Sequence, residues 1–332
     1  MNNQTVTVVI VNWNSGVLLA ECLEHLAMQS RAPNRILVMD NGSADGSADC
    51  ARRFPSVTLR LLGVNLGFSA AMNRALAEVD TEYVALLNPD ANAESGWLEG
   101  LLAAAAANPD VVAFSSRQMS PGAGGIIDGL GDIYHISGLA WRRGFGRPLH
   151  ASDLIAIDVF AACGAAALYR HDALVRAGGF DEDYFCYCED VDLGFRLRLA
   201  GQRCRLVPEA VVHHRGCATT GGHGSDFSVY HGHRNIVWMF IKDMPGAMFW
   251  LLLPVHLLQN LAIIVCFVLR GQGGVICRAK WDALMGVPRA WRKRQRVQAQ
   301  RVASLAQIWH AMDRRIIPSS RRRAQTALTF SS

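Results

Sequence analysis

Three carboxylates stand within four residues in "CEDVDLGFRLRLAG": Glu189, Asp190 and Asp192, directly ahead of a helix-like run of Leu193, Phe195, Leu197 and Leu199. A helix N-terminus attracts acidic groups, because its unpaired N–H groups and its dipole both favour negative charge. That need accounts for one of the three, or two, and leaves a carboxylate over. Positioned carboxylates take protons from reacting hydroxyls or hold hard divalent cations.

Other polar groups recur where apolar runs stop. Asn12 and Asn14 follow "VTVVIV", Asp40 and Asn41 follow "ILVM", Asn65 follows "LRLLGV", and Asn88 and Asp90 follow "YVALL". An aspartate at such a place can accept from a pyrimidine N3–H or a ribose hydroxyl. "NLGFSAAMNRA" supplies a glycine turn and a helix N-terminus suited to phosphate. Asp90, with Asn88, offers oxygen ligands to Mg²⁺ or Mn²⁺, which share their remaining positions with phosphate and water. "AVVHH" ends in His213 and His214, and the alternation of a strand turns one of them inward. There is no G-x-x-x-x-G-K-[ST] and no G-x-G-x-x-G after the first strand, so neither common nucleotide loop is present.

The elements that must position these groups alternate. Strands are expected at Val6–Asn14, Ile36–Met39, in "VTLRLL" and in "YVALL", with helices at Val17–Gln29 and from near Ser69. This βαβαβ order predicts an α/β fold, a doubly wound and mostly parallel sheet whose ligands bind beyond the carboxyl ends of its strands. From Met119 to Pro148 the chain is glycine-rich, a long functional loop or a flexible insertion. A strand and a helix from about Asp172, closed by Gly178, precede the acidic run.

Hydrophobic residues make up 51% of the 332. The first residues read as a buried strand rather than a signal peptide, which places the protein in the cytosol. The nine cysteines show no C-x-x-C pair and read as reduced and mostly buried; Cys186 and Cys188 lack the second pair that a metal site needs. The net charge of +5 is uneven. Arg289–Arg323 carries eleven Lys/Arg against Asp313 alone, a local +10 that leaves the rest at −5. Such an arm suits a phosphate-rich surface, nucleic acid or anionic lipid.

Taken in order, "VVIVNWN", "DNGSADGS", "NLGFSAAMNRAL", "LLNPDA", "GGFDEDYFCYCEDVDLGFRLRLAG" and "VVHH" resemble the family-two glycosyltransferases, most nearly the rhamnosyltransferase-like enzymes of bacterial cell-surface polysaccharide assembly. The resemblance covers roughly residues 6–235. It implies a GT-A-type fold over 1–240, with a nucleotide-sugar half to about 118 and an acceptor half from 119, and a helical extension over 241–332. It implies a nucleotide-diphosphate sugar donor, dTDP-rhamnose favoured, and inversion at the anomeric carbon. Asp40 matches the position that reads the base, with Asn12, Asn14 and Asn41 in the same pocket. Gly67, Phe68 and Asn73 match the turn and helix near ribose and diphosphate. Asp90 matches the last acid of the D-x-D metal motif, whose first position is Asn88 here. His213 aligns with the later metal ligand better than His214 does. Asp190 matches the general base, Glu189 orients acceptor or base, and Asp192 is left as the helix cap.

A nucleotidyltransferase on a related fold is the alternative, but "NWNSGVLLAE" lacks the basic phosphate loop such enzymes use. The tail's Trp291 and Trp309 belong to no nucleic-acid module, so no nucleic-acid partner is expected. Met248–Leu269 is long enough to span a bilayer, yet Pro254 divides it, and His256, Gln259 and Asn260 fall on one helix face. An interfacial helix, a re-entrant hairpin or a dimer contact is therefore expected rather than a lone span. With the basic arm it predicts a peripheral or monotopic protein on the cytoplasmic face, meeting a lipid-linked saccharide acceptor on an anionic membrane, with a homo-oligomer as a further possibility.

Overall fold

A computed structural model of the chain describes residues 4–122, 124–216, 221–222 and 224–315. Arg321, Arg322 and Arg323 of the expected basic arm lie outside these.

Runs of Val, Ile and Leu form the strands that the sequence predicts: β1 (Val6–Asn12), β2 (Arg35–Asp40), β3 (Val57–Leu61) and β4 (Tyr83–Leu87). They pair in parallel in the order β3-β2-β1-β4, with α1 (Leu18–Ala27), α2 (Ser47–Ala51) and α3 (Phe68–Leu76) as crossovers. Register sets Asn12 beside Asp40 at adjacent strand ends. Beyond β5 (Ala91–Ala93) and α4 (Trp97–Ala107), β6 (Val111–Met119) joins the same sheet.

The glycine-rich stretch is not a bare loop. It holds three short strands, β7 (Ile127–Gly129), β8 (Asp132–Tyr134) and β9 (Ala140–Arg142); β7 extends the main sheet by pairing with β6, and β8 and β9 pair with each other. The chain then passes β10 (Asp158–Val159), β11 (Ala166–Arg170) and α5 (His171–Arg176), reaches the acidic helix α6 (Glu189–Leu199), and returns along β12 (Arg203–His214). β11 is antiparallel to both β4 and β6, while β12 runs parallel to β6, so the sheet is mixed but mostly parallel.

Two cores lie on the sheet's two faces, one around Trp97, Leu101 and Leu23, the other around Met72, Leu174 and Leu193. A third joins α6 to the C-terminal helices α7 (Asp226–Asp243), α8 (Gly246–Leu269), α9 (Gly273–Met285), α10 (Val287–Ala299) and α11 (Leu305–Ala311).

Two expectations for this region are corrected. α8 runs unbroken through Pro254 for 24 residues and is long and apolar enough to cross a membrane. The ring is exposed, where the missing N–H costs the helix least. Its polar face also points the other way from an interfacial helix. His256 is buried and hydrogen-bonds Ser137 O at 2.8 Å, and Asn260 accepts from Lys280 Nζ at 2.6 Å. Leu251, Leu257, Leu258 and Leu261 face outward, each more than half exposed. Nor is the arm wholly free: Arg289 and Lys293 pair with Asp183, and the buried Arg294 donates to Ile241 O at 2.8 Å.

Candidate active site

The turns after β1, β2 and β3 are sewn into one floor. Asn12 Nδ2 donates to Asp40 Oδ1 at 2.8 Å and to Ser47 Oγ at 2.9 Å, and Ser15 Oγ donates to Asn12 Oδ1. Ser43 N donates to the other oxygen of Asp40, and Asn14 Oδ1 accepts from Ala44 N. Asn41 is a latch: it accepts from Leu66 N and donates to Asn65 Oδ1 and Gly67 O. Gly67 has φ of 82°, and a Cβ there would lie 2.6 Å from Phe185. Only glycine fits, and the contact seats the turn against the loop that leads to the acidic helix. Phe68 follows at the start of α3, edge-on to Phe180. Asn73 exchanges hydrogen bonds with the backbone of Phe180 and donates to Glu182, which ties α3 to the segment ahead of the acidic helix.

Asp90 and Asn88 leave β4 as the sequence predicts, but the histidine partner differs. His213 is half exposed and meets Glu94 at 2.9 Å. His214, on the opposite face of β12, is fully buried with Nε2 3.3 Å from Asp90 Oδ1 and Nδ1 2.7 Å from Asp128 Oδ2. Strand alternation makes the choice, and His214 replaces His213 beside Asp90. Burial opposes its charge, yet Asp90 and Asp128 outweigh that and push His214 up to about 10. Arg142, buried beneath, pairs with Asp128.

The three carboxylates of the acidic run part company. Asp190 is fully buried, and its oxygens accept from the backbone N–H of Gly164 and of Val191, both at 2.8 Å. Glu189 is also buried, and burial followed by the charge of Asp190 pushes it well above the usual carboxylate range. Asp192 caps nothing; this corrects the expected cap. It accepts from Tyr184 Oη at 2.7 Å and Arg196 Nε at 2.8 Å, and pairs with the buried Lys242.

Ahead of this helix Phe185, Tyr187 and Cys188 all have φ near +70°, a costly run for residues with side chains. Asn235 holds it: Nδ2 lies within 2.8–3.0 Å of the carbonyls of Tyr184, Cys186 and Tyr187. Arg234 donates to the carbonyls of Asp183 and Tyr184. The sequence reading missed Asn235, Asp128, Asp132 and Arg142. For Asp128 and Asp132 the signal was aspartates interleaved with apolar residues in "IIDGLGDIY", inside a stretch that its glycines made look like loop.

The family model for "Glycosyl transferase family 2" matches residues 7–177, from β1 to the end of α5. The chain belongs to glycosyl transferase family 2. Among curated relatives of this glycosyltransferase is an N-acetylglucosaminyl-diphospho-decaprenol L-rhamnosyltransferase of Mycobacterium tuberculosis, 31% identical over 264 residues, 71% of this chain and 83% of the relative. Rhamnosyltransferase WbbL of Escherichia coli is 53% identical over 45 residues, 14% of this chain and 17% of its own. Solved GT-A-like structures share the fold. S. aureus TarS 1–349 in complex with UDP-GlcNAc superposes with a TM-score of 0.60 at 16% identity, covering 90% of this chain and 88% of that one. The mannosyltransferase PcManGT from Pyrobaculum calidifontis, with GDP-Man and Mn²⁺, gives 0.54 at 18% identity over 90% and 85%.

Proposed function

We propose that this glycosyltransferase is an inverting rhamnosyltransferase that moves rhamnose from dTDP-rhamnose to a lipid-linked saccharide at the cytoplasmic face of the membrane. The name of the mycobacterial relative supports the donor sugar and a polyprenyl-diphosphate GlcNAc acceptor. The observation that carries the chemistry is Asp190: buried at the mouth of α6, with backbone donors on both oxygens that favour a carboxylate over a carboxylic acid. On this reading the acceptor hydroxyl attacks the anomeric carbon opposite the leaving nucleoside diphosphate. Asp190 takes its proton, and the sugar–phosphate bond breaks with its electron pair leaving on the diphosphate. The nucleotide lies over the Asn12–Asp40 floor, with its diphosphate toward Gly67 and the N-terminus of α3.

A divalent cation fits beside it. Asp90 and His214 converge with Nε2 and Oδ1 3.3 Å apart and no well-formed hydrogen bond on Nε2, and a cation taken up there would displace the proton that Asp90 and Asp128 hold on His214. Asp128 on Nδ1 is the outer carboxylate that orients a metal-bound imidazole. Asp90 and His214 would hold Mg²⁺ or Mn²⁺ there, and the chemistry it would supply is neutralisation of charge on the departing diphosphate. For localisation, the buried side of α8 ties it lengthwise to the domain while its leucines face outward. A helix so held suits lying in one leaflet better than crossing alone.

The test is Asp190→Asn, assayed with dTDP-rhamnose and a polyprenyl-diphosphate GlcNAc acceptor. Donor affinity should be kept while kcat falls about 10²–10⁴-fold, the usual worth of a positioned base. Near-normal transfer by the variant would remove Asp190 from the role.

A further inference from the structure

Beside Asp190 lies a second acid that the proposed reaction does not use. Asp132 opens β8 and is pinned there by its backbone, its N–H donating to Ala161 O at 2.9 Å and its carbonyl accepting from Phe160 N. The side chain is 1% exposed, and neither oxygen has a hydrogen-bond partner among the described residues. One of its oxygens, an oxygen of Asp190 and Sγ of Cys163 all lie within 4.8 Å of one another.

Two carboxylates this close in a dry interior do not both carry charge unless a cation lies between them. The cluster's groups are engaged without a cation. Cys163 donates its thiol to Gln118 Oε1 at 3.5 Å. Both oxygens of Asp190 already accept from backbone N–H groups. What remains is a shared proton, and the hydrogen bonds say where it resides. Asp190 is served by donors and Asp132 by none, so the anion belongs on Asp190 and the proton on Asp132.

Resting on the reading of Asp190 as base, we propose that Asp132 is a neutral carboxylic acid in the working enzyme and a positioning residue, its O–H directed to the carboxylate of Asp190. A buried acid kept protonated so that it can donate a hydrogen bond is an established device for orienting charge in an active site. The charged and titratable groups facing Asp132 agree with this. Asp190 and Glu189 reach it from α6, Asp128 from β7 and Arg142 from β9, with the thiols of Cys163, Cys188 and Cys204 and the phenol of Tyr169 close enough to feel its charge. Burial, then Asp190, raises Asp132 well above the carboxylate range; Arg142 opposes this and is outweighed, being already paired with Asp128.

The sign of the resulting pH dependence is fixed. The folded protein keeps a proton on Asp132 that the unfolded chain releases above about pH 4, so this group costs stability increasingly as pH rises from there to its folded pKa. Asparagine does not titrate. In thermal unfolding without substrates, Asp132→Asn should therefore gain on the wild type steadily between pH 5 and pH 8. Asp132→Ala, read the same way, covers failure of the first variant to fold. A gap that stays constant, or moves against the variants as pH rises, would show an ionised Asp132 and overturn the proposal. So would stabilisation by Mn²⁺ or Zn²⁺ that the Asp132 variants lose and His214→Ala keeps. In transfer assays the amide N–H of Asp132→Asn should substitute for the lost O–H, leaving kcat about tenfold or less below wild type, whereas Asp132→Ala should lose a further ten- to hundredfold, about the worth of one hydrogen bond to a charged group. Equal losses in the two variants would count against a donor role. Because unfolding is read without substrate, it stands even if Asp190→Asn proves active; that result would fault the base alone.

Discussion

At the scale of single residues, His214 is held between two carboxylates and His213 between a carboxylate and water. Replacing His214 by Ala leaves Asp90, Asp128 and Arg142 in a dry site with the balance of charge broken, a change that costs about 3–5 kcal/mol where a buried pair loses one member. We expect His214→Ala to lower the melting temperature and to abolish any stabilisation by Mn²⁺ in the presence of dTDP. His213→Ala, losing one exposed pair, should change either quantity little. Equal effects of the two would refute the assignment, with calorimetry as the measurement. The sequence placed both histidines at a strand end and could not choose between them, because alternation gives only opposite faces and not which face is dry. Asp40, Asp90 and Asp190 were legible because each ends an apolar run or opens an amphipathic one. Asp132 and Asp128 were not, since three-residue strands among glycines give periodicity too little length to register.

Among the elements, the segment most under strain is Tyr184–Cys188, with three side-chain-bearing residues at positive φ just before Glu189 and Asp190. Such conformers cost of order 1–3 kcal/mol each and persist only where their surroundings hold them. Asn235 is the main restraint, donating into three carbonyls from the middle of α7. Asn235→Ala should destabilise the protein by about 1–3 kcal/mol, the cost of taking a donor away from carbonyls in the interior. It should also reduce kcat more than it raises KM for the donor, because the Asn12–Asp40 floor proposed for the nucleotide is built elsewhere. A purely thermodynamic effect, with kcat intact below the melting range, would show that the loop does not position the base. α7 also carries Lys242, which meets Asp192 and Asp181 and so fastens α6 from a second side. The helix itself was readable in its leucines and phenylalanine. Its dependence on α7 was not, because nothing local in "HRNIVWMF" announces a partner 50 residues upstream.

For the whole molecule, α8 is apolar on both sides: His256 lies inward among Met248, Phe249, Leu252, Ile263 and Phe267, while Leu251, Leu257, Leu258 and Leu261 face outward. Replacing Leu257, Leu258 and Leu261 together by Gln should leave the fold and donor binding unchanged, since all three are exposed. It should reduce sedimentation with anionic vesicles, where each leucine buried in the acyl region is worth about 1.5–3 kcal/mol. Unaltered sedimentation would mean that another face meets the lipid. The apolar run was plain in the sequence, but which side it turns to the domain was hidden, because polar residues on an apolar helix fit a wet interface and a buried contact equally well.

On the proposed reading, that outward row of leucines changes the dimensionality of the encounter. Once adsorbed, enzyme and lipid-bearing acceptor search for each other in a plane, and their collision frequency follows the number of acceptors per unit area of leaflet. Spreading a fixed amount of acceptor through added inert lipid should then slow transfer in proportion, while adding buffer to the same vesicles should hardly alter it as long as the enzyme stays adsorbed.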